Sequence, residues 1–388
     1  MYQKKFKFDV SIIGGVGHIG LPLGLLLKKQ NLRVALIDID EKNINLVNQK
    51  KMPFFEKGAQ KLLNNGIFVT NDFKYLKQSK TIIICIGTLI DEYFNPKIDL
   101  FFKLIFDIKK YIARNQTLII RSSVYPQTCN KIIKIIHNNI AYCPERIVQG
   151  KSIEEMHKLP QIVSGFSKKA INDSKNIFKL ISKKIIVTEV LEAELIKLFS
   201  NSWRYVNFAI SNQFYMISTQ FGLNYNQLRK KMIDGYDRNK NIPSAGLTAG
   251  PCLLKDTMQL TTFSQNQFTL GHDAMLINEG FPNFIVNLIK KEKNISRKKI
   301  GLLGLTFKAD VDDIRDSLSF KLIKLFNFNG FNFLLSDEYY KHRDNVKKEI
   351  LIKNSDIIVL AVPHTKYKKC IIPKNKTVID IWGFFEKK

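Results

Sequence analysis

The stretch "VSIIGGVGHIGLPLG", residues 10–24, runs from a β-type apolar segment through clustered glycines into an apolar helical segment. It contains G-x-G-x-x-G as Gly15, Gly17 and Gly20. Glycines at this spacing permit a tight turn, close approach of the backbone to a pyrophosphate, and close packing of helix on strand. The helix N-terminus adds N–H groups and a partial positive charge for the same anion. Alone the motif is weak, because a tight turn with an N-capping acid looks the same. Here the glycines follow a strand and open a helix, and Asp38 closes the next β-type run, "RVALIDID", eighteen residues after Gly20. A carboxylate in that place accepts from the adenosine ribose hydroxyls and repels the extra phosphate of NADP. Gly15, Val16, Gly17, His18, Ile19, Gly20 and Asp38 are read as a dinucleotide site, and the cofactor as NAD.

Outward from this motif, short apolar runs alternate with amphipathic helical stretches, which predicts an α/β parallel sheet. The later runs are "TIIICIG", "QTLIIRSSV", "NIAYCP", "PQIVSG" and "KIIVTEV", extending this half to about residue 188. From Glu189 to about Ser218 the period becomes helical for some thirty residues with no proline or glycine. Such a helix is ~45 Å long at 1.5 Å per residue, a connecting spine. Helices continue to about Lys293, and the α/β rhythm restarts with "KIGLLGLTF", "FNFLLSD", "SDIIVLAVP" and "KTVIDIWG". The expected architecture is two Rossmann-like parallel-sheet domains joined by a long central helix. Its divisions are 1–188, with the glycine motif, a central helical region 189–293, and a second α/β domain 294–388.

Composition narrows the class. No run in the 388 residues approaches the ~18 apolar residues of a membrane span, and "MYQKKFKFDVSIIGG" has no secretory architecture. A cytoplasmic protein that does not engage a membrane is expected. Five cysteines without a CxxC pair argue against a disulfide framework or thiolate zinc site, and the six histidines are scattered, so no metal is expected. The formal charge of +27 invites a nucleic-acid reading. Lysines are spread along the whole chain without an arginine-rich tract, which favours compositional bias and no nucleic-acid partner.

"TAGPCLLKDTMQL", residues 248–260, sets Cys252 between a Gly-Pro pair and a Lys-Asp pair, with Asp256 four residues on. A thiol near charges can serve as a nucleophile. With NAD, a cysteine suggests oxidation through an aldehyde, which needs an oxyanion stabiliser and a carboxylate for water. Lys197 and Asn201 lie four apart on one face of the spine, a pattern that also suits a solvated surface. Glu145, in "AYCPERIVQG", follows a strand and a proline, where an active-site acid or an exposed loop acid fits equally.

The segments "GGVGHIGLPL", "PFFEKG", "CIGT", "RSSVYPQT", "YCPERIVQG", "EAELIKLFSN", "GPCLLKD" and "GLTFKADVDDIRDS" together resemble the UDP-glucose/GDP-mannose dehydrogenases, over nearly the whole chain. The resemblance implies an NAD-dependent nucleotide-sugar 6-dehydrogenase with Cys252 as nucleophile and Asp256 assisting thiol and water chemistry. It implies that Lys197 and Asn201 hold the sugar oxygen and oxyanion, that Glu145 is the active-site glutamate, and that Thr88 and Ser123 line the nicotinamide. Ser123 replaces the usual threonine and keeps the hydroxyl. Arg238 resembles an arginine that reaches across a homodimer. Lys308 and Arg315 resemble phosphate- and sugar-contacting cations. Arg315 is grouped with the cofactor residues, and Arg146, Arg238, Gly246, Gly250 and Lys308 with the substrate residues.

Departures from the family pattern are Leu89 and Leu318 where proline is common, Gln213 for a common glutamate, and a less glycine-rich "PSAGLTAGPC". On substrate the motifs divide. "YCPERI" and "LPQIVSG" resemble the UDP-N-acetylhexosamine branch, chiefly UDP-N-acetylmannosamine, and "CLLKDTMQL" the UDP-glucose and GDP-mannose branches. The reading adopted is a UDP-N-acetylhexosamine for a surface-polysaccharide precursor, with UDP-glucose as the alternative. A non-catalytic NAD-binding protein has no need of Cys252, Asp256, Lys197, Asn201 and Glu145 together.

Overall fold

The computed structural model describes residues 6–88, 91, 97–248 and 250–385. The chain divides into two compact units, 1–200 and 201–388.

The first unit alternates strands and helices: β1 (Phe8–Ile13), α1 (Gly20–Lys29), β2 (Val34–Ile37), α2 (Glu41–Asn48), α3 (Ala59–Leu63), β3 (Phe68–Thr70), β4 (Ser79–Ile84), α4 (Ile98–Lys109), β5 (Thr117–Ile120), α5 (Thr128–Ile135), β6 (Asn139–Tyr142), α6 (Ser152–Lys158), β7 (Gln161–Gly165), α7 (Lys168–Phe178) and β8 (Ile185–Val187). The strands form one sheet in the order β3-β2-β1-β4-β5-β6-β7-β8. Alternate residues enter different cores, as strand geometry requires. Ile12, Leu36 and Ile83 pack with the leucines of α1 on one face. Ile13, Ile37, Ile82 and Ile84 pack with Phe101 and Ile105 of α4 on the other. A sheet buried on both faces is what near-continuous Ile/Leu/Val strands specify.

Two features depart from the sequence reading. The short strand β3 was not anticipated. β7 runs antiparallel to β6, where a wholly parallel sheet was expected. The connection between them, residues 143–160, carries only the short α6, about 10 Å long. Buried Glu56 pins its start by accepting the N–H groups of Gly150 (2.9 Å) and Ser152 (2.7 Å).

The spine is α8 (Val190–Gln220), 31 residues, crossing from the first unit into the second. The second unit continues with α9 (Tyr225–Ile233), α10 (Leu253–Phe263), α11 (Thr269–Lys290), β9 (Lys299–Leu303), α12 (Leu318–Phe328), β10 (Asn332–Ser336), α13 (Lys348–Asn354), β11 (Ile357–Leu360) and β12 (Thr377–Ile379). Its four strands are all parallel, in the order β10-β9-β11-β12. Leu318 is the first residue of α12, following the N-cap Ser317. The first helical position favours proline because its N–H is not needed, and leucine fits there without changing the helix. Gln213 is exposed, and Leu89 lies outside the described residues. Among the described residues no helix is long and apolar enough to cross a membrane, and no cluster of three or more His, Cys, Asp or Glu is arranged to hold a metal.

Candidate active site

In the first unit, chain order reverses between β1 and β4, which each have neighbours on opposite sides. In open α/β sheets ligands bind outside the carboxyl ends of the strands at such a switch point. The glycine loop lies there. A Cβ on Gly20 would overlap the Gly14 carbonyl oxygen and sit 2.9 Å from its carbon, so α1 rests directly on the loop backbone. A Cβ on Gly17 would make only ordinary contact, 3.4 Å from the Gly14 oxygen. Gly17 is thus left for something outside the loop. The start of α1 has no side-chain cap, and its first turn is open to an anion.

Asp38 follows β2 immediately. Its Oδ2 accepts the Val16 N–H (3.0 Å), and its Oδ1 accepts the N–H groups of Ile39 (2.8 Å) and Asp40 (3.2 Å). The carboxylate therefore braces the loop and stays partly exposed beside it. His18 packs against Phe54, with ring centroids 4.0 Å apart and planes inclined at 41°, and its Nδ1 lies 3.0 Å from Gln149 Nε2. Glycines without room for a Cβ, an uncapped helix start and a neighbouring acid fit a dinucleotide. Residues 15–20 would hold its pyrophosphate and Asp38 its ribose.

Next to this cradle the loops after β4 and β5 meet, where Thr88 Oγ1 donates to the Ser123 carbonyl at 2.6 Å. Behind them Glu145 is buried and held at both oxygens. Its Oε1 accepts the N–H groups of Arg146 (2.8 Å) and Ile147 (3.1 Å), and its Oε2 pairs with Arg121. Removing one partner of such a buried pair costs on the order of 3–5 kcal/mol. The Arg146 guanidinium donates to the Pro160 carbonyl at 2.6 Å, and burial lowers its pKa. On α8, buried Glu194 accepts the N–H groups of Gln127 (2.7 Å) and Cys129 (3.1 Å) at the start of α5. Lys197, one turn later on that helix, is also buried.

In the second unit Cys252 is the N-cap of α10 and is exposed. Three other thiols are buried, and burial pushes Cys85 up to about 12 and Cys143 up to about 11. Cys129 is driven well above its ordinary value by burial, then by Glu194. Reactivity belongs to accessible thiolates, so these three are structural. Asp256 lies one turn into α10, wholly buried. Its N–H donates to the Cys252 carbonyl (2.9 Å), its Oδ2 accepts from Asn201 Nδ2 (2.6 Å), and Lys255 Nζ is 3.1 Å from its Oδ1. Asn201 thus ties α8 to the turn that carries the thiol.

The loop before Cys252 is held from several sides. Asn212 Oδ1 accepts the Gly246 N–H at 2.9 Å, and Arg229 Nε donates to the Ile242 carbonyl at 2.8 Å. A Cβ on Gly246 would overlap the Trp382 indole, and one on Gly250, with φ +111°, would lie 2.5 Å from the Phe307 ring. Both glycines make room for aromatic rings of the last domain. The Arg315 guanidinium grips Asp313 (2.6 Å). That hydrogen-bonded carboxylate holds its pKa above the ordinary range, with a smaller contribution from Cys252. Lys308 is half-buried in the loop after β9. Buried His364 clamps that loop, accepting the Asp310 N–H on Nδ1 (2.9 Å) with Nε2 at 3.0 Å from Asp337 Oδ2. Arg238 is exposed, and among the described residues it reaches only Tyr236, whose hydroxyl lies at 3.4 Å.

Three consecutive domains of one family match this chain: the NAD-binding domain over residues 8–185, the central domain over 191–279 and the UDP-binding domain over 301–387. The chain belongs to the UDP-glucose/GDP-mannose dehydrogenase family. UDP-N-acetyl-D-mannosamine dehydrogenase of Methanococcus vannielii is 30% identical, covering 97% of this chain and 93% of that protein. The protein of the same name from Methanococcus aeolicus is 29% identical over 98% of this chain and 92% of its own. The solved UDP-D-ManNAc dehydrogenase of Pyrococcus horikoshii superposes with a TM-score of 0.89 at 25% identity, covering 98% of this chain and 96% of that one. The chain is an NAD-dependent UDP-sugar dehydrogenase, and NAD is its cofactor, as expected.

For a dehydrogenase of this family, the sequence reading missed the supporting shell: Arg121, Gln161, Glu194, Lys255 and the His364–Asp337 pair. One signal was present. Arg121 ends an uninterrupted apolar strand, and a cation in such a place must be paired if it is buried.

Proposed function

We propose that this dehydrogenase oxidises the C6 alcohol of a UDP-N-acetylhexosamine, UDP-N-acetylmannosamine first among them, to the carboxylate through a covalent adduct on Cys252. The observation that carries the reading is the exposed thiol at the head of α10 with the buried Asn201–Asp256 pair beneath it. NAD, when bound, accepts the hydride in each of the two oxidations. The alcohol gives up its O–H proton as it becomes the aldehyde. The Cys252 sulfur then adds to the aldehyde carbon, forming a thiohemiacetal. Lys197 and Asn201 stabilise its oxygen, and the N–H groups of the first turn of α10 add positive potential. The second oxidation leaves a thioester. Water adds to its carbon, the C–S bond breaks, and the thiol is regenerated, with Asp256 and Glu145 managing protons and water. Thr88 and Ser123 would line the nicotinamide, and Lys308 and Arg146 would neutralise substrate charge.

Two relatives named for UDP-N-acetylmannosamine, matching along nearly the full chain, support the sugar. "CLLKDTMQL" keeps UDP-glucose as the alternative. The three-part division at 188 and 293 is retained as the functional one, in a cytoplasmic enzyme serving surface-polysaccharide synthesis. A homodimer about α8 is part of the proposal. On that helix Trp203 is 72% exposed and Phe199, Ile210, Phe214 and Ile217 are exposed too, and Phe221, just beyond its end, is 75% exposed, whereas Tyr205 is buried in the core. Arg238 would then reach the neighbouring subunit.

The test is a panel of UDP- and GDP-sugars with NAD, followed by NADH absorbance and quantitation of the acid. Two NADH per sugar without free aldehyde are expected. Cys252→Ala should still bind the nucleotide sugar and lose net acid formation, and near wild-type acid formation by that variant would overturn the mechanism.

A further inference from the structure

We propose that Arg121 is a positioning residue for Glu145, and that it sets the direction in which Glu145 presents an acceptor to the water that hydrolyses the Cys252 thioester. This rests on the mechanism proposed above. Arg121 follows β5 directly, and its side chain is wholly shielded from solvent. Its backbone N–H donates to the Ile84 carbonyl (2.9 Å), so the residue is fixed to the sheet edge. The guanidinium lies over the Phe178 ring, 4.5 Å from its centroid. Nη1 donates to the Cys143 carbonyl (3.1 Å), and Nη2 donates both to Glu145 Oε2 and to Gln161 Oε1 (2.8 Å). The fork therefore joins the ends of β5, β6 and β7.

Counting acceptor capacity shows the consequence for Glu145. A carboxylate oxygen has two lone-pair sites. Both sites on Oε1 are taken by the N–H groups of Arg146 and Ile147. One site on Oε2 is taken by Arg121. Among the described residues a single site remains, on Oε2, and its direction is dictated by the guanidinium. A carboxylate held at both oxygens does not swing between positions. It orients a water instead. In hydrolysis the water oxygen forms a bond to the thioester carbon and the C–S bond breaks. Sulfur keeps that electron pair and takes one water proton, and the other is released as the acid ionises. A lysine at 121 would keep the charge without bridging Glu145, Gln161 and the Cys143 carbonyl together, because only the planar fork spans several acceptors.

The experiment uses the full-length enzyme with the nucleotide sugar that the wild type oxidises. Rapid mixing follows NADH, and mass spectrometry of quenched enzyme follows the adduct. In Arg121→Lys, a burst approaching two NADH per site should persist. The subsequent steady rate should fall about 10²-fold, the effect of roughly 1 Å misplacement of a reacting group. Thioester-bearing enzyme should accumulate while the KM for NAD stays unchanged. In a Glu145→Gln background, Arg121→Lys should add little further loss, since it acts through the carboxylate. Wild-type breakdown of the adduct in Arg121→Lys, or an equal further loss in the Glu145→Gln background, overturns the proposal alone. Absence of any adduct in the wild type overturns the underlying mechanism and the proposal with it. Should Arg121→Lys not fold, Gln161→Leu removes only the neutral arm. Slower adduct breakdown then supports the proposal, and unchanged breakdown overturns it.

Discussion

Gly20 and Gly17 occupy the same loop, and alanine at each should separate folding from cofactor binding. At Gly20 the new Cβ would stand 2.9 Å from the Gly14 carbonyl carbon and 3.0 Å from the Gly15 Cα, with the Gly14 oxygen nearer still. Ordinary contacts begin near 3.4 Å, and every atom met is backbone, so no side chain can rotate away. Overpacking of this kind costs about 1–3 kcal/mol. Removing a glycine at the first position of α1 returns at most ~1 kcal/mol, and because the overlap is with backbone the cost lies at the upper end of that range, leaving a net loss of up to about 2 kcal/mol. For a unit of this size that lowers Tm by roughly 4–8 °C. At Gly17 the Cβ meets only one atom, at 3.4 Å, so unliganded stability should change by less than about 0.5 kcal/mol. The methyl would instead occupy the space left for a pyrophosphate, and the Kd for NAD should rise at least tenfold, about 1.4 kcal/mol. The assay is thermal unfolding with and without NAD. At a concentration giving the wild type about 2.7 kcal/mol of ligand stabilisation, Gly17→Ala should receive about 1.4 kcal/mol. The reasoning is refuted if unliganded Gly17→Ala loses as much Tm as Gly20→Ala, or if it keeps the full NAD stabilisation.

Asp38→Ala should relax the preference for NAD over NADP without abolishing oxidation. It should also raise the KM for NAD, because the carboxylate holds the Val16 N–H of the loop; equal wild-type turnover with both cofactors would count against the assignment. Burial raises the Glu194 pKa, and the N–H groups of Cys129 and Gln127 only partly offset it. For an acid raised on folding, stability from this group is present below its unfolded value of about 4.3 and is lost as pH rises through the folded value. The stability advantage of wild type over Glu194→Gln should therefore narrow between about pH 4 and neutrality in denaturant titrations, and a widening gap would contradict the burial argument. Trp203→Glu places a charge on the exposed face of α8 and should convert a dimer to monomer in sedimentation at micromolar protein. A wild type that is already monomeric and fully active would remove the basis for that expectation.

The chain order of β1, the glycine loop, α1 and Asp38 was legible in the residues because every determinant is local. Strand period, glycine spacing and a carboxylate at the strand end all fall within about thirty residues. The long helix was legible for the same reason, as 31 residues without a breaker have one regular outcome. Local patterns could not tell which faces of that helix are buried. Tyr205 joins a core while Trp203, two residues away, stands in solvent, a difference set by what α10 and α11 cover. The antiparallel β7 escaped the sequence because strand direction is decided by pairing in space, and even the connection before it is held by a contact, Glu56 to Ser152, that spans 96 positions. The same holds for the site. Cys252, Asp256 and Glu145 could be named from their motifs. That Asp256 is tied to Asn201, that Gly250 yields to Phe307, and that Glu145 is gripped by Arg121 are pairings across 24 to 57 positions. Hydrogen bonds and steric contacts act over a few ångströms in space, whatever the distance along the chain, so only the folded structure decided them.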